Sequence, residues 1–236
     1  MTQEIVNEND LPILKAVRAF GIIKPRFDPQ QQGFIPPQLE IRGTAFLLKG
    51  FNIIVTCAHV VQNLINLPVE LAGMLVVGKE ANYQPVSIDN IDFVHDLAVL
   101  RFGKNAQIPQ EMFDNMIKAE FDSGLLLSEN DPVVSNNIMY AGYPLGNVLL
   151  NAKHDPSYSE GVVGMCNREN EFGRKEFQIS GSIAGGFSGA PVTLKNQPQK
   201  VIGVVSNSPS KEAGDAGIFM AISYSHIQAL ADLSKS

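Results

Sequence analysis

Hydrophobic and polar residues alternate in short segments along most of this 236-residue chain, and turn residues separate the segments. Alternation with a period of two buries one face of a segment and exposes the other, as in a β-strand. Twenty glycines and fourteen prolines supply the turns. We therefore predict an all-β body. Its first strands fall near residues 16–22, 39–49, 52–57, 74–78, 84–91 and 97–103, and a second set runs from Val133 to Ile222.

Four regions depart from this alternation. Residues 9–15 predict a capped turn or short helix, and residues 25–37, rich in Pro, Gln and Gly, predict an exposed loop. Residues 109–117 predict a short helix between the two sets of strands. The C-terminal residues 223–236 predict a helix with one apolar face. That face contains Ile227, Leu230 and Ala231, with Leu233 near its edge.

Composition narrows the class of protein. An apolar fraction of 44% and a charged fraction of 18% are typical of a globular protein rather than a disordered one. The net charge of −6 disfavours nucleic acid as a partner, because phosphate binding needs a basic face. No apolar stretch is long enough to span a membrane, so we expect no membrane partner. The polar, acidic N-terminus does not resemble a signal peptide, and we expect a cytoplasmic location.

Three polar residues follow or open apolar segments in a fixed order. An apolar segment ends in His59, Asp96 opens a second apolar segment at 97–100, and a glycine-rich turn at 185–191 contains Ser188. A serine hydroxyl is a poor nucleophile unless a base accepts its proton, and that base needs an orienting group. The order His, Asp, Ser is the one used by chymotrypsin-like peptidases. We therefore interpret His59, Asp96 and Ser188 as a candidate catalytic triad.

The chain resembles the trypsin-like (chymotrypsin-fold) serine peptidases, and within them the prokaryotic, HtrA-like protease domains, from about Gly43 to Ile222. The matching segments are Gly-Thr-Ala-Phe-Leu-Leu at 43–48, Val-Thr-Cys-Ala-His at 55–59, Asp-Leu-Ala-Val-Leu at 96–100 and Gly-Phe-Ser-Gly-Ala-Pro at 186–191. The resemblance implies an all-β fold of two six-stranded antiparallel β-barrels packed together, with a C-terminal helix. It divides one peptidase domain into an N-terminal barrel (1–105), a connection (106–131), a C-terminal barrel (132–222) and the helix (223–236).

Two residues beside Ser188 depart from the family's Gly-Asp-Ser-Gly-Gly-Pro motif. Zymogen-derived relatives carry an aspartate where this chain has Phe187, and that aspartate pairs with a freshly cut N-terminus. Phe187 cannot form the ion pair, so we do not expect activation by N-terminal cleavage, and the oxyanion loop must form in another way. Ala190 adds one methyl group next to the nucleophile. Neither change removes a group that the reaction needs.

The resemblance also implies roles for residues around the triad. The main-chain N–H groups of Gly186 and Ser188 would form the oxyanion hole. Ser206 would hydrogen-bond to Asp96, although a solvent-facing strand serine is an equal alternative. The substrate-binding (S1) pocket would be formed by Ser182, Ser208 and Gly217. None of these three is acidic, so we expect an uncharged, apolar P1 residue, because a basic one would be buried without a counter-charge.

We interpret the cysteines and the other histidines as residues without a catalytic role. Cys57 and Cys166 are interpreted as reduced, structural residues, with a disulfide between them as the alternative, because the sequence does not give their separation. His95 is the alternative candidate for the catalytic base, but strand alternation directs its side chain away from the face of Asp96. The two remaining histidines, His154 and His226, are read as surface residues.

The sequence thus predicts a serine endopeptidase that cleaves a protein or peptide substrate and uses no cofactor and no metal. No His-Glu-x-x-His motif is present to suggest a metallopeptidase. Two alternatives stay open. One is a trypsin-like fold that binds without cleaving, and the other is a latent protease that a regulatory protein partner switches on.

Overall fold

Six antiparallel strands close the first barrel. The computed structural model describes residues 11–28, 33–65, 75–79, 82–103, 108–148, 155–206, 213–214 and 217–235. A short helix, α1 (Pro12–Ala16), precedes the barrel, and α2 (Ala58–Ile65) follows its third strand. The strands are β1 (Val17–Asp28), β2 (Gly33–Leu48), β3 (Ile53–Thr56), β4 (Leu75–Lys79), β5 (Asn82–Asp92) and β6 (Leu97–Phe102). Their order is β1-β2-β3-β6-β5-β4, and pairing of β4 with β1 closes the barrel.

The second barrel closes in the same way, because the first and last strands of its order pair with each other. Its strands are β8 (Asn137–Gly142), β9 (Ser157–Glu169), β10 (Lys175–Gly181), β11 (Pro191–Leu194), β12 (Gln197–Val205) and β13 (Ile218–Ser223). The order is β11-β8-β9-β10-β13-β12, and β12 pairs back onto β11. The predicted fold of two six-stranded barrels with a C-terminal helix is therefore confirmed.

Residues between the barrels form a helix and one extra strand. Helix α3 (Gln110–Asp122) is longer than the predicted segment 109–117. The short strand β7 (Leu126–Leu127) then runs parallel to β12 and adds a seventh strand to the second sheet. The connection therefore contributes to the second sheet as well as linking the two barrels.

The predicted loop at residues 25–37 is wrong for most of its length. Strand β1 continues to Asp28 and β2 begins at Gly33, with Arg26 opposite Ile35 in the ladder. Proline lacks the N–H that a ladder needs, so it is tolerated in strands at irregular positions. The register shifts between Lys24 and Arg26, and this shift leaves Pro25 without a ladder partner.

Ser223 caps the N-terminus of the C-terminal helix α4 (Tyr224–Leu233), and its hydroxyl accepts a hydrogen bond from the N–H of Ser225. The apolar face of α4, made of Ile227, Leu230 and Ala231, is buried as predicted, whereas 64% of Leu233 is exposed. No helix in the described part of the chain is long and apolar enough to cross a membrane.

Candidate active site

Asp96 holds the ring and the main chain of His59. The carboxylate lies 2.9 Å from Nδ1 of His59, and its Oδ1 also accepts the His59 main-chain N–H at 2.9 Å. The carbonyl oxygen of Asp96 accepts the N–H of Ala58 at 3.1 Å. Asp96 thus caps the first turn of α2, whose N-terminal N–H groups favour a negative charge. These contacts fix the position of His59 in the first turn of α2, directly after β3.

The backbone of Asp96 is left-handed, with φ at +56°. Aspartate tolerates this region better than most residues, although a cost remains. The preceding turn is organised by Asp92, whose Oδ1 accepts the N–H groups of Val94 and His95 at 3.0 Å each. The turn directs the Asp96 side chain back toward α2.

Hydrogen bonds keep Asp96 ionised despite its burial. Burial alone would raise the pKa of Asp96, but the hydrogen bonds and charge interaction with His59, together with the hydroxyl of Ser206, outweigh it. The pKa of this carboxyl therefore lies below the ordinary value for aspartate. An ionised Asp96 requires the proton of the neutral His59 ring to lie on Nδ1, which leaves Nε2 as an acceptor.

Ser206 and Ser188 complete this hydrogen-bonded cluster. Ser206 is buried, and its hydroxyl donates to Oδ2 of Asp96 at 2.6 Å. The hydroxyl of Ser188 donates to the main-chain carbonyl of Ser206 at 3.0 Å. No hydrogen bond joins the Ser188 hydroxyl to His59 among the described residues. Hydrogen bonds between a nucleophile and its base are often incomplete without substrate.

Two glycines allow the sharp turn that carries Ser188. Gly186 has φ of +99° and Gly189 has φ of +88°, a region that disfavours side chains. A Cβ on Gly186 would lie 2.2 Å from the carbonyl oxygen of Tyr143, and one on Gly189 would lie 2.0 Å from that of Thr44. Both positions therefore require glycine.

The peptide planes beside Ser188 are held at their carbonyl ends. The Gly185 carbonyl accepts the N–H of Leu145 at 2.5 Å, and the Phe187 carbonyl accepts the N–H of Ala190 at 2.8 Å. In a trans peptide the N–H points opposite to the carbonyl. The N–H groups of Gly186 and Ser188 therefore point away from these anchors, as the two donors of an oxyanion hole would need to do.

The segment around Leu145 is itself tied to the first barrel through Asn147. The Asn147 amide oxygen accepts the N–H of Ile41 at 2.8 Å, and its nitrogen donates to the carbonyl of Leu39 at 2.9 Å. Sequence reasoning missed Leu145 and Asn147. Gly-Tyr-Pro at 142–144 is typical of a turn, but a main-chain donor such as Leu145 leaves no sequence signature.

The structure describes two of the three residues expected in the S1 pocket, Ser182 and Gly217. Ser182 is exposed, and its carbonyl accepts the hydroxyl of Tyr140 at 3.1 Å. The carbonyl of Gly217 accepts the N–H of Gly181, the residue before Ser182, at 3.1 Å. Ser182 and Gly217 therefore belong to adjacent segments, whereas Ser208 lies outside the described residues.

The other histidines lie outside this cluster. Nδ1 of His95 lies 2.5 Å from Oδ2 of Asp92, so its ring faces away from Asp96. The ring stacks on that of His226, with 4.1 Å between centroids. His226 is half-buried and accepts the N–H of Lys175 at 2.7 Å, which corrects the reading of it as a surface residue. His154 lies outside the described residues.

Phe187 and the two cysteines occupy structural positions. Phe187 is buried and makes an edge-on contact with Tyr140, with ring centroids 5.4 Å apart. Cys57 and Cys166 are both free thiols. Burial, with the charge of Asp96, raises the pKa of Cys57 well above its ordinary value. The Cys57 thiol donates to the carbonyl of Val205 at 3.3 Å.

One group of side chains in the described residues has donor atoms close enough to be tested as a metal site. The donor atoms of Cys57, His59 and Asp96 lie within 4.8 Å of one another. Cysteine binds a metal as the thiolate, and burial raises the pKa of Cys57, which disfavours that form. The carboxylate and Nδ1 already bond to each other. These residues do not form a preorganised metal site.

The double barrel, with this cluster between its halves, defines a chymotrypsin-like protein. The family model described as trypsin-like peptidase domain matches residues 43–204. The chain belongs to this family of serine peptidases. Among curated proteins, none matches the chain significantly.

Two solved structures share the fold at low sequence identity. The active form of the Rv3671c protease from M. tuberculosis has 16% identity and a TM-score of 0.59, and the match covers 98% of this chain and 86% of that one. The inactive form, a serine-to-alanine mutant of Rv3671c from M. tuberculosis H37Rv, has 13% identity and the same TM-score. That match covers 100% of this chain and 96% of the other.

Proposed function

We propose that the protein is a serine endopeptidase that hydrolyses peptide bonds through an acyl-enzyme on Ser188. His59 would accept the Ser188 proton and later donate it to the leaving amine, and Asp96 would hold the ring and stabilise the imidazolium. The observation that carries the proposal is the hydrogen-bonded cluster in which Asp96 contacts His59 and Ser206, and Ser206 accepts from Ser188. In the reactive complex the Ser188 hydroxyl would turn from Ser206 to Nε2 of His59.

The oxyanion hole would use the N–H groups of Gly186 and Ser188. These donors would bind the tetrahedral intermediate, and each such donor lowers the barrier by about 3–4 kcal/mol. The anchored carbonyls of Gly185 and Phe187 support this assignment, because they orient the two peptide planes before substrate arrives. The reaction then needs no metal, since fixed donors supply the charge stabilisation.

An activity-based label tests the nucleophile. A fluorophosphonate reacts with a serine activated by a neighbouring base, so it should modify wild type at Ser188 and leave Ser188→Ala unmodified. The control is Ser180→Ala, which removes an exposed serine of β10 and should label as wild type does. Intact mass and peptide mapping identify the modified residue. Absence of labelling in folded wild type would contradict a constitutively active peptidase and leave a binding module or a latent protease.

A latent protease is the second candidate, and one observation favours it. The Ser188 hydroxyl is bonded to the Ser206 carbonyl, so a regulatory protein could act by releasing it toward His59. Labelling of the isolated chain separates the two candidates, because a latent enzyme would react only with its partner present.

The partners proposed are a protein or peptide substrate and, for a latent enzyme, this regulator. The free thiols of Cys57 and Cys166 support a cytoplasmic location.

We expect an apolar P1 preference, for Leu, Met or Phe. Ser182 and Gly217 bring no charge to the proposed S1 pocket, and complete burial of such a side chain stabilises by about 1.5–3 kcal/mol. A basic side chain would lose hydration without a carboxylate to replace it. The cleavage rates of peptides that differ at P1 alone measure this preference. Norleucine and lysine are the matched pair, because their side chains have similar length. Faster cleavage after lysine would show that the pocket assignment is wrong.

A further inference from the structure

Thr44 of the first barrel contacts both second-barrel segments that shape the turn at Ser188. Its side chain is completely buried. The hydroxyl donates to the carbonyl of Gly186 at 2.7 Å and accepts the N–H of Tyr143 at 3.0 Å. The N–H of Thr44 donates to the carbonyl of Ser188 at 3.0 Å. Three hydrogen bonds from one residue therefore join β2 to the segments around Tyr143 and Gly186.

The Ser188 turn needs such an external support because its own sequence is permissive. Gly185 and Gly186 have no side chains, so their peptide planes can adopt many orientations at little cost. Phe187 is apolar and supplies no charged anchor. The Gly185 carbonyl is held by Leu145, and the Gly186 carbonyl is held by Thr44, so Gly186 is fixed on both sides.

The Thr44 hydroxyl also positions the segment that holds Gly185. It accepts the N–H of Tyr143, two residues before Leu145. An added Cβ on Gly142 would lie 2.6 Å from the same hydroxyl, so β8 passes directly against Thr44. Loss of the hydroxyl would leave the Gly186 carbonyl and the Tyr143 N–H without this partner in a buried place. Both anchors of the Gly186 peptide would then loosen together.

We infer that Thr44 is a positioning residue that sets the oxyanion-hole orientation of the Gly186 N–H through its side-chain hydroxyl. This inference rests on the proposed peptidase function. The contact between Thr44 and Gly186 would replace the ion pair that activates zymogen-derived relatives, because Thr44 is part of β2 and the contact needs no cleavage. The contact touches neither substrate nor reacting atoms, so its effect on catalysis passes entirely through Gly186.

Two substitutions separate the hydroxyl from the shape of the side chain. Thr44→Val keeps the volume and removes the hydroxyl, whereas Thr44→Ser keeps the hydroxyl and removes a methyl group. A donor aimed at the oxyanion acts in the transition state, and removing one costs about 100- to 1000-fold in kcat. A misaligned donor should cost less, so we expect kcat of Thr44→Val to fall about tenfold or more with KM nearly unchanged. Thr44→Ser should stay within about threefold of wild type.

The control variant is Thr193→Val. Thr193 is equally buried, on β11, and its hydroxyl has no hydrogen-bond partner among the described residues. It should retain wild-type kcat, which separates loss of a buried hydroxyl from loss of this particular contact. A peptide aldehyde, whose adduct places an oxyanion in the hole, should bind Thr44→Val more weakly by a factor similar to the loss in kcat/KM.

Amide NMR gives a readout that does not depend on turnover. The Gly186 and Ser188 amide signals should move in Thr44→Val and stay near their wild-type positions in Thr44→Ser and Thr193→Val. Unmoved signals with unchanged kcat in Thr44→Val would overturn the inference, as would equal losses in the Val and Ser variants. If wild type itself fails to hydrolyse peptides, the proposed function fails, while the amide signals still report whether Thr44 sets the turn.

Discussion

Replacement of Ser188 or His59 with alanine should reduce kcat for peptide hydrolysis about a millionfold. The hydroxyl would be the atom that attacks the substrate, and the imidazole would be the base that makes it reactive, so each variant removes the whole nucleophilic step. The double variant should be no slower than either single one, because the two groups act as a unit. Activity against a fluorogenic peptide measures this loss.

These variants should keep the fold. Within the described residues the Ser188 hydroxyl makes one hydrogen bond, to the Ser206 carbonyl, and such a bond contributes about 1 kcal/mol. The side chain of His59 is 42% exposed, so its removal leaves no closed cavity. Thermal unfolding of Ser188→Ala should therefore stay close to that of wild type. His59→Ala should unfold at a lower temperature, because it removes the ring that bonds the ionised carboxylate of Asp96. Turnover by His59→Ala within tenfold of wild type would remove His59 from the proposed role of base.

Local sequence predicted most of the first barrel and the residues of the cluster. The apolar segments 53–55 and 97–100 lie in buried strands, and His59 comes shortly after the first while Asp96 directly precedes the second. The helical period likewise predicted the buried face of α4. Strand and helix periodicity act over a few residues, so these features can be read directly from the chain.

Long-range hydrogen bonds could not be read in this way. Thr44 and Gly186 are 142 positions apart, and nothing in either segment names the other as its partner. The extension of β1 to Asp28 depends on its pairing with β2, which overrides the local preference of proline for loops. The stack of His95 on His226 similarly arises from packing of α4 on the first barrel.

Asp96→Asn should reduce kcat about ten-thousandfold while leaving the side-chain shape nearly unchanged. In wild type, Oδ1 accepts the main-chain N–H of His59, so an asparagine must keep its oxygen at that position. Its amide nitrogen then takes the place of Oδ2, which lies 2.9 Å from Nδ1 of His59. A donor there favours the tautomer with the ring proton on Nε2, in which Nε2 can no longer accept the Ser188 proton.

Stability against pH gives this variant a second test. Because the pKa of Asp96 lies below the ordinary aspartate value, its ionised form stabilises the fold above that ordinary value. The contribution disappears as the pH falls through the lowered pKa, when the carboxylate is protonated. Asparagine does not titrate, so wild type should exceed Asp96→Asn in unfolding free energy by more at pH 7 than at about pH 3. An equal difference at both pH values would mean that the contacts with His59 and Ser206 do not stabilise the ionised carboxylate.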